Sequence, residues 1–285
     1  MRLVFTACLA ALGLGQSAPQ YQTGTVTRPD GAQIAYYVRP GSGPSLVLIP
    51  GSWGDYRVFD RLVAGLSPSL RVVIVELRGH GRSRPATLNA TMEGFADDVL
   101  SVADALALRR FYVGGHSIGG MLAIEIAGRR PGQVAGAIAM EGWTHHQVAA
   151  EAFGGNAANT LTPEQEKVNA ENRQRVRSRL TQAEIDAFAS VWRRWDGSPI
   201  LESTPTPILE IWGDRGRPRP TRELMRIPLR PNIELVWMPG ASHSLLIQCP
   251  EEVARATNAF IARTESAPRT PKRNPGLQRG GAAST

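Results

Sequence analysis

The 285-residue chain is poor in cysteine and has only Cys8 and Cys249. Cys8 lies in an amino-terminal segment that we expect to be removed, so the mature chain would keep one thiol and could form no intrachain disulfide. The sequence also has no glycine-rich phosphate loop followed by lysine, no dinucleotide-binding fingerprint and no cysteine cluster. We therefore predict a protein that relies on its apolar core for stability and uses no cofactor.

Features typical of metal sites and of nucleic-acid-binding surfaces are also missing. His145 and His146 are adjacent, so their side chains diverge, and no other histidine or cysteine stands at ligand spacing from them. The formal net charge is +7, but five of the cations stand near the chain ends, at Arg2, Arg269, Lys272, Arg273 and Arg279. Residues 21–265 therefore carry +2 and offer no basic groove for a nucleic acid.

Residues 1–20 have the shape of a signal peptide. Arg2 precedes an apolar run over residues 3–14, and small and polar residues follow it. A disordered amino terminus is the alternative interpretation. The run is too short to cross a bilayer, so we expect a secreted or periplasmic protein without a stable membrane span. Residues 265–285 are rich in Pro, Gly, Ser and Arg and predict a disordered basic tail.

Apolar patterning predicts an α/β protein whose strands alternate with helices. Residues 21–27 and 32–39 alternate around a Pro-Asp-Gly turn and indicate an initial hairpin. Later strands are placed at 45–49, 71–77, 134–140, 206–212 and 233–238. The first of them is a continuous apolar run, as expected where both faces of a sheet are covered. Helical patterns lie at 56–66, 92–108 and 250–262. This alternation calls for a parallel sheet.

The alternation stops between residues 142 and 204, where helical segments at 163–179 and 182–195 predict an inserted helical cap. The α/β core is therefore divided into residues 21–141 and 205–264. Aromatic side chains of the cap and of the loops beside it are candidates for lining a substrate pocket, namely Trp53, His116, Trp143, Trp192 and Trp195. An equally good hypothesis is that the cap aromatics form its own interior.

The stretch from 109 to 121, RRFYVGGHSIGGM, carries the strongest signal for chemistry. It predicts a buried strand, a sharp turn at Ser117 and an apolar helix. Gly115 and Gly119 give the spacing G-x-S-x-G, in which glycines permit a strained turn that exposes the serine at the carboxyl edge of the sheet. Ile118 opens the helix, so its N–H is free to bind an oxyanion. Ser52, after strand 45–49, is the candidate for a second donor, although a plain tight turn has the same sequence features.

Two residues at strand ends complete a possible catalytic triad with Ser117. Asp214 follows strand 206–212, and His243 follows strand 233–238. A serine hydroxyl needs a neighbouring imidazole to take its proton, and a carboxylate on the far ring nitrogen holds the imidazole in the right tautomer. Glu141 also ends a strand and is the alternative acid, although at the entry to the cap it could equally contact substrate.

These segments resemble the alpha/beta-hydrolase superfamily over about residues 24–263. The resemblance rests on the PG turn at 50–51, RGHGRS at 78–83, GGHSIGG at 114–120, WGD at 212–214 and GASH at 240–243. It implies a mostly parallel eight-stranded sheet with helices on both faces and an inserted helical cap. Two departures are that Pro50 replaces the histidine usual before the glycine, and Gly216 replaces the acid that often follows WGD.

The resemblance implies Ser117 as nucleophile, His243 as base and Asp214 as acid, with the N–H groups of Ser52 and Ile118 forming the oxyanion hole. We therefore predict a hydrolase that cleaves a small-molecule carboxylic ester through an acyl-enzyme, without metal or cofactor. The same triad serves carbon-carbon bond hydrolases, lactonases and cofactor-free peroxidases, and the fold also hosts non-catalytic ligand-binding proteins. A serine nucleophile argues against epoxide and haloalkane chemistry.

Overall fold

The computed structural model describes residues 19–154 and 160–267. Nearly all of the predicted signal segment and most of the predicted basic tail lie outside these residues.

The described chain is organised on one sheet of eight strands, in the order β1-β2-β4-β3-β5-β6-β7-β8. The strands are β1 (Gln22–Thr27), β2 (Gln33–Arg39), β3 (Ser45–Ile49), β4 (Arg71–Val75), β5 (Phe111–His116), β6 (Val134–Met140), β7 (Ile208–Gly213) and β8 (Ile233–Met238). β2 pairs antiparallel with β1 and with β4, and the pairs from β4 to β8 are parallel. The predicted fold class and the initial hairpin are thus confirmed.

Helices cover both faces of the sheet. They are α1 (Asp60–Gly65), α2 (Met92–Ala105), α3 (Ile118–Arg129), α4 (Val148–Phe153), α5 (Pro163–Arg177), α6 (Gln182–Ser190), α7 (Ser198–Ser203), α8 (Leu245–Gln248) and α9 (Pro250–Ser266). Apolar side chains of α2 and α3 pack on one face, and those of α1 and α9 pack on the other. In β3, Val47 belongs to the first cluster and Leu48 to the second. Both faces of the sheet are therefore buried, which explains the continuous apolar runs of the central strands.

Among the described residues between β6 and β7, the named elements are all helices, as expected for an inserted cap. Capping boxes begin the two helices predicted there, with Thr162 and Gln165 at α5 and Thr181 and Glu184 at α6. The short helices α4 and α7 were not predicted, because six residues are too few to show a helical period. A short 3-10 helix, Val191–Arg194, follows α6 and carries Trp192.

A buried carboxyl group interrupts the apolar interior at Glu210 in β7. Its Oε2 accepts a hydrogen bond from Trp212 Nε1 at 3.0 Å, whereas its Oε1 has no partner among the described residues. Burial raises the pKa of Glu210 to about 8, so the group holds its proton at neutral pH.

Glu210→Gln should make the protein more stable than wild type at alkaline pH. A raised pKa in the folded state contributes stability that is complete below the ordinary glutamate pKa and is lost as pH rises through about 8. Glutamine keeps an acceptor for Trp212 and has no proton to lose. Melting temperatures measured between pH 5 and pH 9 should diverge in favour of the variant as pH rises. A difference that stays constant over this range would contradict the assignment.

Candidate active site

Ser117 stands on a strained turn between β5 and α3. Its backbone has φ 57° and ψ −124°, values that a non-glycine residue adopts only when its surroundings enforce them. The surroundings are tight, because a Cβ on Gly115 would lie 2.3 Å from the carbonyl carbon of Gly119, and a Cβ on Gly119 would lie 2.0 Å from the carbonyl oxygen of Ile49. Ser117 N–H donates to the carbonyl of Met140 at 3.0 Å. The two glycines of the motif are therefore required by close backbone approach.

His243 and Glu141 form a hydrogen-bonded pair. His243 Nδ1 donates to Glu141 Oε2 at 3.1 Å. Glu141 follows β6, is fully buried, and also accepts from Gly213 N–H at 2.8 Å and from both terminal nitrogens of Arg215. Burial opposes ionisation of this carboxyl group, but the hydrogen bonds from His243 and Arg215 hold its pKa below the usual glutamate value. Glu141 is thus an ionised acceptor for the ring N–H of His243.

Asp214 has different partners. It accepts hydrogen bonds from the backbone N–H groups of Gly216, at 3.0 Å, and Gly240, at 2.7 Å, and it faces Arg219 at 3.4 Å. Partial burial acts to raise its pKa, but these donors hold the pKa below the usual aspartate value. Asp214 therefore ties the loop after β7 to the turn that precedes His243.

The sequence prediction that Asp214 orients His243 gains no support from the structure, in which His243 Nδ1 bonds to Glu141, the alternative acid, and Asp214 bonds to other groups. The reason is the path of the backbone after β7. Arg215 has φ 56°, and its buried side chain points to Glu141, while Asp214 bonds to the loop backbone. Gly216, at the position where the resembled family often has its acid, continues this left-handed turn with φ 66°.

The loop after β3 lies directly against the serine turn. A Cβ on Gly51 would be 3.2 Å from the Cβ of Ser117 and 2.8 Å from Nδ1 of His116. Among the described residues, no acceptor is recorded for the backbone N–H of Ser52 or of Ile118. Ile118 begins α3, where N–H groups have no partner within the helix. The two N–H groups predicted as oxyanion donors thus belong to the residue after Ser117 and to the residue after Gly51, which packs against Ser117.

Trp53 and His80 fix the shape of this loop. Trp53 has φ 64°, and its N–H donates to His80 Nε2 at 3.1 Å. The two rings stack with centroids 5.7 Å apart, and the ring of Phe188 from the cap lies 4.8 Å from Trp53. Burial lowers the pKa of His80 to about 4, so the ring stays neutral and can accept this bond. Only 8% of Trp53 is exposed, so it packs at the junction of loop and cap, and the prediction that it lines an open pocket gains no support.

His116 and Trp143 surround the ring of His243. His116 Nε2 donates to the carbonyl oxygen of His243 at 2.6 Å, and their rings lie 5.0 Å apart. The Trp143 ring lies 5.8 Å from the His243 ring and meets Trp192 edge to face at 5.2 Å. Burial, together with the nearby His243, lowers the pKa of His116 to about 4. Two of the five predicted pocket residues thus lie next to His243, and a third, Trp192, contacts one of these two, Trp143.

Trp195 is placed elsewhere, in the interior between cap and core. Its Nε1 donates to Glu125 of α3 at 3.0 Å, and only 7% of the residue is exposed. A Cβ on Gly197 would lie 2.3 Å from its ring. The arrangement matches the alternative hypothesis that some cap aromatics form an interior, and it does not support Trp195 as a pocket residue.

The two cap tryptophans should therefore respond differently to truncation. Trp195→Ala should cost about 3–5 kcal/mol of stability, because it empties a packed site and removes a partly buried hydrogen bond. Trp192→Ala should change the relative rates on short and long acyl chains, because its ring reaches His243 through Trp143. Melting curves and a series of p-nitrophenyl esters check both expectations. If Trp192→Ala melted far below wild type with an unchanged chain-length profile, Trp192 would also be an interior residue.

The described residues show neither a side-chain grouping suited to a metal ion nor a helix suited to a membrane. In residues 19–154 and 160–267, no group of three or more His, Cys, Asp or Glu side chains is arranged to hold a metal ion. His145, one of the two adjacent histidines of the sequence, is buried, and its Nε2 bonds to Glu151 Oε2 at 2.9 Å. No helix of the described ranges is long and apolar enough to cross a bilayer.

Comparison with known proteins adds a family and a set of relatives. The profile of the Alpha/beta hydrolase family matches residues 46–256. The chain is 26% identical over 261 residues to a 2-(acetamidomethylene)succinate hydrolase from Mesorhizobium japonicum, with 82% of this chain and 94% of that protein aligned. It is 24% identical over 242 residues to the dihydrolipoyllysine-residue acetyltransferase component of an acetoin cleaving system from Pseudomonas putida, with 78% of this chain aligned. It spans 64% of that second relative's length.

Solved structures give the same architecture. The enol-lactonase from Burkholderia xenovorans LB400 superposes with a TM-score of 0.69 at 21% identity, over 84% of this chain and 100% of the other. At that identity the likeness concerns the fold.

Proposed function

Because the chain belongs to the alpha/beta hydrolase family, we propose that it is a serine hydrolase that cleaves carboxylic esters with Ser117 as nucleophile, His243 as base and Glu141 as acid. The observation that carries this proposal is the bond from His243 Nδ1 to the buried Glu141, together with the contact of the His243 ring with His116, the residue that precedes Ser117 on its strained turn. A strained serine next to an oriented imidazole is the arrangement that acyl transfer requires. The proposed acid differs from the one that the sequence favoured, and the proposed reaction is the same.

The chemistry follows from these groups in two halves. Nε2 of His243 takes the Ser117 proton as Oγ attacks the acyl carbon, and Glu141 stabilises the imidazolium that forms. The N–H groups of Ser52 and Ile118 hold the developing oxyanion. Collapse of the tetrahedral intermediate expels the alcohol, which receives the proton from His243. Water then repeats the sequence on the acyl-enzyme and releases the acid.

The surroundings of His243 favour a substrate with a small apolar acyl or alcohol part. Trp143 and Trp192 supply an aromatic wall on one side of the base, and neutral His116 lies on another. One relative is named a 2-(acetamidomethylene)succinate hydrolase and one structural neighbour an enol-lactonase. Lactones and substrates cleaved at other bonds are therefore the alternatives that the test has to include.

The test combines covalent labelling with a substrate panel. A fluorophosphonate probe should label one site per chain, and tryptic mapping should find it on Ser117. p-Nitrophenyl esters of two to twelve carbons should be turned over, with the shorter members preferred. Faster turnover of lactones, or of diketones at a carbon-carbon bond, would replace the ester assignment and keep the nucleophile. Absence of both labelling and turnover in folded protein would favour a non-catalytic ligand-binding protein.

The predicted signal segment also leads us to propose a secreted or periplasmic location. Fractionation of cells that express the full chain, followed by mass measurement of the mature protein, tests this separately from the activity.

A further inference from the structure

The carboxylate of Glu141 is held by a buried arginine as well as by His243. The two terminal nitrogens of Arg215 lie 2.8 Å from Oε1 and 2.7 Å from Oε2, so the guanidinium and carboxylate meet as parallel forks. Arg215 also donates to the carbonyl oxygen of Gly213, and only 9% of it is exposed. Every oxygen of Glu141 is thus occupied, and the carboxylate has one orientation.

Aromatic rings close this pair off from water. The guanidinium carbon of Arg215 lies 3.9 Å from the centre of the Phe153 ring, which comes from α4 of the cap. Phe153 in turn stacks on the buried Trp212 at 5.6 Å with 13° between the planes. The backbone N–H of Arg215 donates to the carbonyl of Ala241, in the loop that carries His243, at 2.9 Å. A buried guanidinium is costly unless it is fully paired, so its presence here calls for a role at Glu141.

We propose that Arg215 is a positioning residue of the triad, which fixes the carboxylate of Glu141 and keeps it ionised in a dry site while the charge on His243 changes. The inference rests on the proposed function, because it concerns the acid of that triad. Arg215 touches neither substrate nor the reacting atoms, and it acts only through Glu141.

The charges around Glu141 leave this task to Arg215. His116, Glu210 and Cys249 also face Glu141 electrostatically. Each is neutral at pH 7, because burial lowers the pKa of His116 to about 4 and raises those of Glu210 and Cys249 to about 8 and about 12. Arg215 therefore supplies the cation that opposes the burial of Glu141 when His243 is uncharged.

Loss of Arg215 should shift the pH dependence of kcat/KM in one direction. A neighbouring cation lowers the pKa of a carboxyl group by about 1–3 units, so removing it raises the pKa of Glu141 by a similar amount. A protonated Glu141 cannot hold the imidazole in its working tautomer. Removing the cation also removes a repulsion on the imidazolium that forms during catalysis, since both groups bond to Oε2. Both effects move the acid limb of the kcat/KM profile to higher pH.

The experiment measures kcat/KM from pH 5 to pH 10 with one p-nitrophenyl ester, each value normalised to the fraction of chains labelled by fluorophosphonate. Arg215→Gln should move the acid limb upward by about one pH unit or more and recover much of its activity at high pH. Arg215→Lys keeps the charge but not the fork, so its limb should stay near that of wild type while its plateau kcat falls about tenfold at unchanged KM. Should Arg215→Gln fail to fold, the fall in kcat of Arg215→Lys tests the proposal on its own.

Arg219→Met is the matched control, since Arg219 stands in the same loop and pairs with Asp214 at the surface. Arg219→Met should leave both the acid limb of the kcat/KM profile and the plateau kcat unchanged. An acid limb in Arg215→Gln that coincides with wild type, or a plateau in Arg215→Lys equal to wild type, would overturn the inference. Glu141→Gln, assayed in parallel, separates this failure from failure of the proposed function, because only the latter leaves Glu141→Gln fully active.

Discussion

Ser117→Ala should lower kcat for the best ester substrate by about 10⁴-fold or more, with the fold preserved. The hydroxyl is the group that forms the acyl-enzyme, and no other side chain on the turn can replace it. Alanine keeps the Cβ that packs against Gly51, and the turn itself is enforced by Gly115 and Gly119. Residual turnover would come from the oxyanion donors and from substrate binding.

The measurements are steady-state turnover, labelling by fluorophosphonate and a melting curve. Labelling should disappear and the melting temperature should change little. Ser101→Ala is a suitable control, because the Ser101 hydroxyl donates to the carbonyl of Asp98 within α2. Correctly folded Ser117→Ala that kept more than a tenth of wild-type activity would rule out Ser117 as nucleophile.

The strands of the sheet were the most predictable part of the structure. β3, β6 and β8 begin and end at the predicted residues. For β3 and β6 the reason is that a strand buried on both faces is an uninterrupted apolar run between turn residues. Helix ends were less predictable. The helix placed at 56–66 is a 3-10 turn followed by α1, and the last helix continues to Ser266. Such ends depend on capping contacts and tertiary packing that a periodic pattern does not contain.

The serine and histidine of the site could be predicted because each sits where local sequence dictates a sharp turn at a strand end. The choice between Asp214 and Glu141 as the partner of His243 could not be made in this way. The bond from His116 Nε2 to the carbonyl of His243 brings the loop after β8 back to the end of β5, past β7 and β6. That return brings His243 to the end of β6 and so to Glu141. Sequence spacing along the chain carries no information about such a return.

Arg215 and His80 were missed as members of the site for a related reason. Arg215 follows Asp214, and the sequence prediction for this segment concerned only the aspartate. The side chain of Arg215 points inward because its backbone has a positive φ. His80 lies in RGHGRS, which predicts a glycine-punctuated loop and says nothing about a bond to Trp53 N–H. In both cases the residue acts on another residue of the site, and only the folded chain brings the two together.

The choice between the two carboxylates gives the second large expected effect. Glu141→Gln should lower kcat by about 10³–10⁴-fold, because an amide can present its NH₂ to His243 Nδ1 and then favours the wrong tautomer, as in other triads. It also leaves Arg215 buried without its counter-ion, so the melting temperature has to be recorded and turnover normalised to labelled chains.

Asp214→Asn should lower kcat by less than about tenfold, because Asp214 binds the loop backbone at Gly216 and Gly240 and an amide oxygen can accept one of those bonds. Both variants are to be assayed with the same ester at the pH of maximal wild-type activity. A large loss in Asp214→Asn together with a small one in Glu141→Gln, both in folded protein, would return the acid to Asp214 and make the bond between Glu141 and His243 a structural contact.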